Sequence, residues 1–168
     1  MESIRSALES AAAYLTAHPD EATYTDGAAV ARLREGFAVQ VTGPDGASIT
    51  TDMSRSVGGA ASAPSPGFYF RAAQASCVAV LIAMRAAQEG VRLGLLEVTV
   101  DSTSDDRGIL GLDPAIPAGP LRSRVHVRVG GGASDEQLDA IVRWGIDHCP
   151  VCDAVKRAVP VDVEVEVA

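Results

Sequence analysis

The 168-residue sequence predicts an α+β fold in one domain. Three observations lead there. A long apolar stretch with helical character follows a loop of small residues. Several short segments alternate apolar and polar residues at a period of two. Two further helix starts, at Ser134 and Pro150, interrupt the strand-rich second half. Hydrophobic content of 47% suits a chain of this length with a real core. Aromatics make up only 4%, so that core is built from Ala, Val and other small residues.

Residues 2 to 17 predict a helix, because Ile4, Leu8, Ala11, Ala12 and Leu15 recur at helical spacing. His18-Pro19-Asp20 ends it. Residues 1 to 35 read as an N-terminal helical extension of the single domain, with Arg32 to Glu35 the candidate for a short second element. Phe37, Val39 and Val41 then alternate with Ala38, Gln40 and Thr42. Gly43-Pro44-Asp45-Gly46 supplies a turn and Ile49 to Met53 returns, which is a hairpin pattern.

Val57 to Gly67 is all small residues, glycine and proline, and reads as a loop. Ser65-Pro66 is a cap followed by a favoured first helical residue. The helix should run from Pro66 to Glu89 and stop at Gly90. It is apolar almost all round from Ala72 to Met84. Such a helix must be buried on every side, so it is central or packs against a second subunit.

Three alternating segments follow: Leu96 to Val100, Val125 to Val129 and Val161 to Val165. Their polar faces carry Glu97 and Asp101, then Arg124, His126 and Arg128, then Asp162, Glu164 and Glu166. Opposite charges pair across strands, so the basic strand is expected between the two acidic ones. Ser134-Asp135-Glu136-Gln137 has the form of a capping box and opens a helix to about His148. Pro150 opens another to about Ala158.

Formal net charge is −8, from 22 acids and 14 basic residues. This argues against nucleic acid and anionic membranes as partners. The N-terminal segment carries Glu2 and Glu9 where a secretion signal would be apolar. The apolar run from Ala72 to Met84 is about 13 residues, too short for a bilayer. The expectation is a soluble, cytoplasmic protein, where three cysteines are reactive, metal-bound or inert rather than a disulfide framework.

The cysteines are Cys77, mid-helix, and Cys149 and Cys152 in His148-Cys149-Pro150-Val151-Cys152. Cys149 stands where a helix begins, beside unpaired backbone N–H groups that favour a thiolate. Cys77, among Ala, Val and Leu, would be inert unless a cation stood near it. Spacing alone leaves four readings open. Cys149 and Cys152 form a redox pair. Cys77, His148, Cys149 and Cys152 bind zinc. Cys77 and Cys149 meet across two helices as attacking and resolving thiols. Or all three cysteines simply fill the core.

Ser65 to Cys77, SPGFYFRAAQASC, resembles the start of the central helix in the OsmC/Ohr family of thiol peroxidases. HCPVC, from His148 to Cys152, resembles that family's later Cys-Pro helix start, with cysteine where serine is common. The order of elements is also similar from about Gly36 to Val167. The resemblance implies antiparallel sheets packed around a long central helix, in an intertwined homodimer with sites at the subunit interface. It implies reduction of organic hydroperoxides without metal or bound cofactor. Cys77 would attack the peroxide and become a sulfenic acid; Cys149 would condense with it to a disulfide; an external dithiol would restore both.

Two departures stand out. Gly67 occupies the position of the family's glutamate, ten residues before the cysteine, which normally holds an arginine over the thiolate. The turn that would carry that arginine has none, which leaves Arg34, Arg55 and Arg71 as candidates. His148 and Cys152 are supporting candidates, Cys152 as an alternative resolving thiol. The rival expectations are an impaired relative that binds a small apolar ligand at the dimer interface, and a redox- or metal-sensing thiol site.

Overall fold

The computed structural model describes residues 2–167. The chain divides into two compact units, Ser6–Ala72 and Ala73–Ala168 with the first five residues. Helix α1 (Glu2–Ala17) and helix α2 (Pro66–Gln88) each run from one unit into the other.

The Ser6–Ala72 unit holds a three-stranded antiparallel sheet in the order β1-β2-β3, formed by Val30–Leu33, Val39–Thr42 and Ser48–Thr51. The expected hairpin is β2 and β3, in register Val39 to Thr51 and Thr42 to Ser48. Its turn needs left-handed backbone at Asp45 (φ 55°) and Gly46 (φ 77°), conformations that aspartate and glycine tolerate best. The short element near Arg32 is the edge strand β1. After β3 the chain folds over Asp52. This buried carboxylate accepts from Ser62 N at 2.9 Å, Ser62 Oγ at 2.7 Å and Met53 N at 2.7 Å. Those donors, the Ser62 N–H first and its hydroxyl second, hold its pKa below the usual carboxylate range.

Helix α2 begins as its sequence predicts. Ser65 Oγ accepts the Phe68 N–H at 3.2 Å, Pro66 is the first helical residue, and Gly90 ends the pattern in the left-handed region (φ 70°). Only one stripe of it is covered: Gln74, Val78, Ile82 and Ala86, at four-residue spacing. Ala73, Ser76, Val80 and Ala83 form a second, exposed stripe of small residues. Burial on every side, expected from composition, is therefore not met within one chain. Over its 23 residues α2 is also long and apolar enough to cross a bilayer, unlike the 13-residue run considered above. Core helices of soluble domains share that property, and one stripe of α2 is buried in the core.

In the second unit, β4 (Leu93–Thr103) pairs antiparallel with β5 (Arg122–Gly131). The predicted charge complementarity holds here: Arg128 meets Glu97 at 3.2 Å and Arg124 meets Asp101 at 2.7 Å. The third strand does not form. Val161, Val163, Val165 and Val167 lie in an irregular tail and are 78 to 91% exposed. Their alternating pattern suits a sheet edge, and β4 and β5 form a sheet of two strands only. A short helix α3 (Asp106–Ile109), capped by Asp105 on the Arg107 N–H, had no reading in the sequence.

Helices α4 (Asp135–Asp147) and α5 (Pro150–Arg157) lie at the expected positions. Ser134 caps the Gln137 N–H at 3.3 Å, but Gln137 does not return the bond; its amide reaches Glu89 at 3.1 Å. The core gathers Val78, Ile82 and Ala86 of α2, Leu138 and Ile141 of α4, and Cys149 and Cys152. The apolar face of β4 and β5 (Leu96, Val98, Val125, Val127) closes it. Gly145 lets α4 approach α2 closely: a Cβ there would lie 2.6 Å from Ile82 Cγ1 and 2.8 Å from its backbone nitrogen.

Candidate active site

The three thiols converge in the second unit. Cys77 sits on α2 one turn after Gln74. Cys149 is the N-cap of α5 (φ −75°, ψ 112°), and Cys152 is one turn into that helix. Pro150 supplies the first helical φ and gives up no needed donor. The next N–H groups then point back at sulfur. Cys152 N donates to Cys149 Sγ at 3.4 Å, and the Val151 backbone N–H is near enough to Cys77 Sγ to favour its thiolate. Cys77 packs against the cluster that holds Cys149, and Cys149 is the one side chain that shifts the Cys77 thiol. The pair separated by 72 positions in sequence is thus adjacent, with one start of helix serving both sulfurs.

Burial differs among them. Cys149 is 0% and Cys152 3% exposed, whereas Cys77 is partly exposed. Burial pushes the Cys77 thiol above its ordinary range. The Val151 N–H pulls it back in part, and Cys149 raises it further through a hydrogen bond and its charge. Among the described residues, no guanidinium is one of the groups that shift it.

The candidate arginines all belong to the Ser6–Ala72 unit. Arg34 donates to Gln40, and Arg55 to the Ala60 carbonyl at 3.5 Å. Arg71 lies beside Gly67: a Cβ on that glycine would stand 3.6 Å from Arg71 Nη1. His148 is not part of the thiol cluster. Its ring stacks on Trp144 with centroids 4.0 Å apart, and its Nδ1 lies 2.8 Å from the Trp144 carbonyl. Arg85 covers the same indole at 5.2 Å. With His148 turned away, the four-ligand zinc reading has no ligand set, and among the described residues no three His, Cys, Asp or Glu side chains gather as a metal site.

One member of the site, Gln74, went unread in the sequence, where it falls inside the apolar run from Ala72 to Met84. It is 5% exposed. Its Nε2 donates to Cys152 Sγ at 3.6 Å, and its Oε1 accepts from Ser123 Oγ at 3.0 Å. The signal available was a glutamine one turn before a cysteine on a helix face otherwise apolar. In the Ser6–Ala72 unit, a cavity of about 400 Å³ is lined by Phe37, Ala38, Asp52, Gly58 and Ser62.

An antiparallel α+β fold with a long helix that carries one thiol to another at a Cys-Pro helix start defines a class, and comparison with known proteins identifies it. The family model for OsmC-like protein matches residues 59–164. The chain belongs to the OsmC-like family. Solved structures agree in fold. An organic hydroperoxide resistance protein OsmC from Legionella pneumophila is 22% identical, with a TM-score of 0.59, over 81% of this chain and 92% of that one. An OsmC-like protein from Mycoplasma pneumoniae is 14% identical, with a TM-score of 0.67, over 80% and 90%. The organic hydroperoxide resistance protein OhrB of Bacillus subtilis is 20% identical, with a TM-score of 0.52, over 84% and 98%. Among curated proteins, no sequence matches.

Proposed function

We propose that this protein is a thiol peroxidase that reduces organic hydroperoxides through Cys77 and Cys149. The observation that carries the reading is the contact of Cys77 with both Cys149 and the Val151 N–H. The more accessible sulfur meets the substrate, and the buried one stands ready to condense with it. Cys77 Sγ attacks the terminal peroxide oxygen, the O–O bond breaks, and the alcohol leaves with a proton. Cys77 is left as a sulfenic acid. Cys149 Sγ then displaces water to form the disulfide, and an external dithiol reduces it by two thiol–disulfide exchanges. The Val151 N–H faces the sulfur that bears charge during attack, where the family uses an arginine.

The working unit in this reading is an intertwined homodimer in the cytoplasm. The exposed small-residue stripe of α2 and the alternating valines of the C-terminal tail support it, since both are surfaces built to be covered. A second reading is binding of a small apolar ligand at the dimer interface without turnover. The raised Cys77 thiol and Gly67 in the glutamate position favour it.

The test is consumption of cumene hydroperoxide with a small dithiol as reductant. Wild type should turn over and Cys77→Ser should not. With peroxide but no dithiol, Cys149→Ser should stop at a sulfenic acid on Cys77 that dimedone traps. Equal peroxide loss in wild type and Cys77→Ser would sink the proposal.

A further inference from the structure

We propose that Cys152 is a third redox residue, which takes the disulfide over from Cys77. Once Cys77–Cys149 has formed, Cys152 Sγ attacks Cys149 Sγ. A Cys149–Cys152 bond forms, the Cys77–Cys149 bond breaks, and Cys77 leaves as thiolate and regains the proton that Cys152 lost. No further oxidant or reductant is needed, because the oxidising equivalent only changes place. The step rests on the peroxidase reading for its first disulfide.

Three observations carry it. First, Cys149 caps α5 with its sulfur on the Cys152 N–H at 3.4 Å, so that sulfur already lies over the turn that holds residue 152. Side chains three apart at the start of a helix have Cβ atoms about 5–6 Å apart. Disulfides need Cβ atoms about 3.5–4.5 Å apart, so the bridge closes when the first turn of α5 tightens by about 1–2 Å. Second, the two helices meet in matched pairs. Cys77 and Gln74 are one turn apart on α2, as are Cys149 and Cys152 at α5. Cys77 faces Cys149 while Gln74 faces Cys152.

Third, Gln74 is held for that role. A primary amide in an apolar core is costly unless its groups are used. Here the Ser123 hydroxyl fixes Oε1 at 3.0 Å and aims Nε2 at Cys152 Sγ at 3.6 Å. A cysteine that merely filled space would need no donor. A sulfur that must attack as a thiolate inside the core does.

Two experiments decide it. Wild-type protein receives one equivalent of cumene hydroperoxide and is quenched in acid at intervals. Free thiols are alkylated and disulfides mapped by mass spectrometry. The expected order is Cys77–Cys149 first, then Cys149–Cys152 with Cys77 again alkylated; Cys152→Ser should stop at the first. In parallel, Cys77→Ser is equilibrated in a glutathione redox buffer, where Cys149–Cys152 should form with loss of two hydrogens. Persistent Cys77–Cys149 with Cys152 alkylated throughout overturns the transfer, as does a Cys77→Ser protein that never closes the pair. If peroxide leaves all three thiols intact, the peroxidase reading itself fails and the transfer falls with it as a step in turnover.

Discussion

At Cys77, burial and the neighbouring Cys149 work against ionisation, and a single backbone N–H works for it. The sign for reactivity follows. Below its folded pKa the thiolate fraction rises about tenfold per pH unit, and that pKa lies above the ordinary thiol range of about 8.5. The oxidation rate of Cys77 should therefore climb through neutral pH and keep climbing past that range; a plateau near neutrality would contradict the surroundings described. The same raised pKa favours the folded state while the thiol is neutral. That contribution is complete below the unfolded pKa and lost as pH rises through the folded one. What was legible at this scale was local. Ser65, Ser134 and Pro150 announced their helix starts because capping depends on the next three residues. The Cys77–Cys149 contact was one of four open readings until the resemblance favoured it, since 72 residues separate them. The role of Gln74 depends on Ser123 and Cys152, 49 and 78 positions away, and no local pattern reports such partners.

Between elements, α4 comes close to α2 where Gly145 meets Ile82. Replacing a helical glycine by alanine ordinarily stabilises by about 0.5–1 kcal/mol. Here the added Cβ would meet backbone nitrogen at 2.8 Å, which cannot step aside as a flexible side chain does. Overpacking costs about 1–3 kcal/mol, so the clash wins. Gly145→Ala should lower the free energy of unfolding in urea, and because α2 and α4 carry the site's frame, it should slow disulfide formation as well. Ile82→Ala, at a fully buried position, should cost about 2–5 kcal/mol in the same assay. The strands were legible as periodicity, and the β4–β5 pairing as charge. The third strand was not, because a period of two says that a segment suits a sheet without saying whether its own chain offers an edge.

For the whole molecule, the N-terminal 35 residues were read as a helical extension, yet Val30–Leu33 joins the three-stranded sheet and Ser6–Ala72 forms a unit of its own. The bounds of that unit, after Arg5 and after Ala72, fall inside helices α1 and α2, where helical periodicity runs on without a break. The exposed face of α2 and the bare valines of the tail predict a dimer by light scattering. Val80→Lys, on the exposed α2 stripe, should shift it toward monomer, since a charge cannot be desolvated there without a partner. Trp144, the single tryptophan, lies four residues before His148 and stacks on it, so it is a built-in reporter for the start of α5. The measurement that bears most directly on the central claim is stopped-flow oxidation of the reduced protein, followed by Trp144 emission and by a count of free thiols. A Cys77-dependent loss of two thiols per chain, faster with cumene hydroperoxide than with hydrogen peroxide, is the predicted result. Three intact thiols under excess of either peroxide would contradict it.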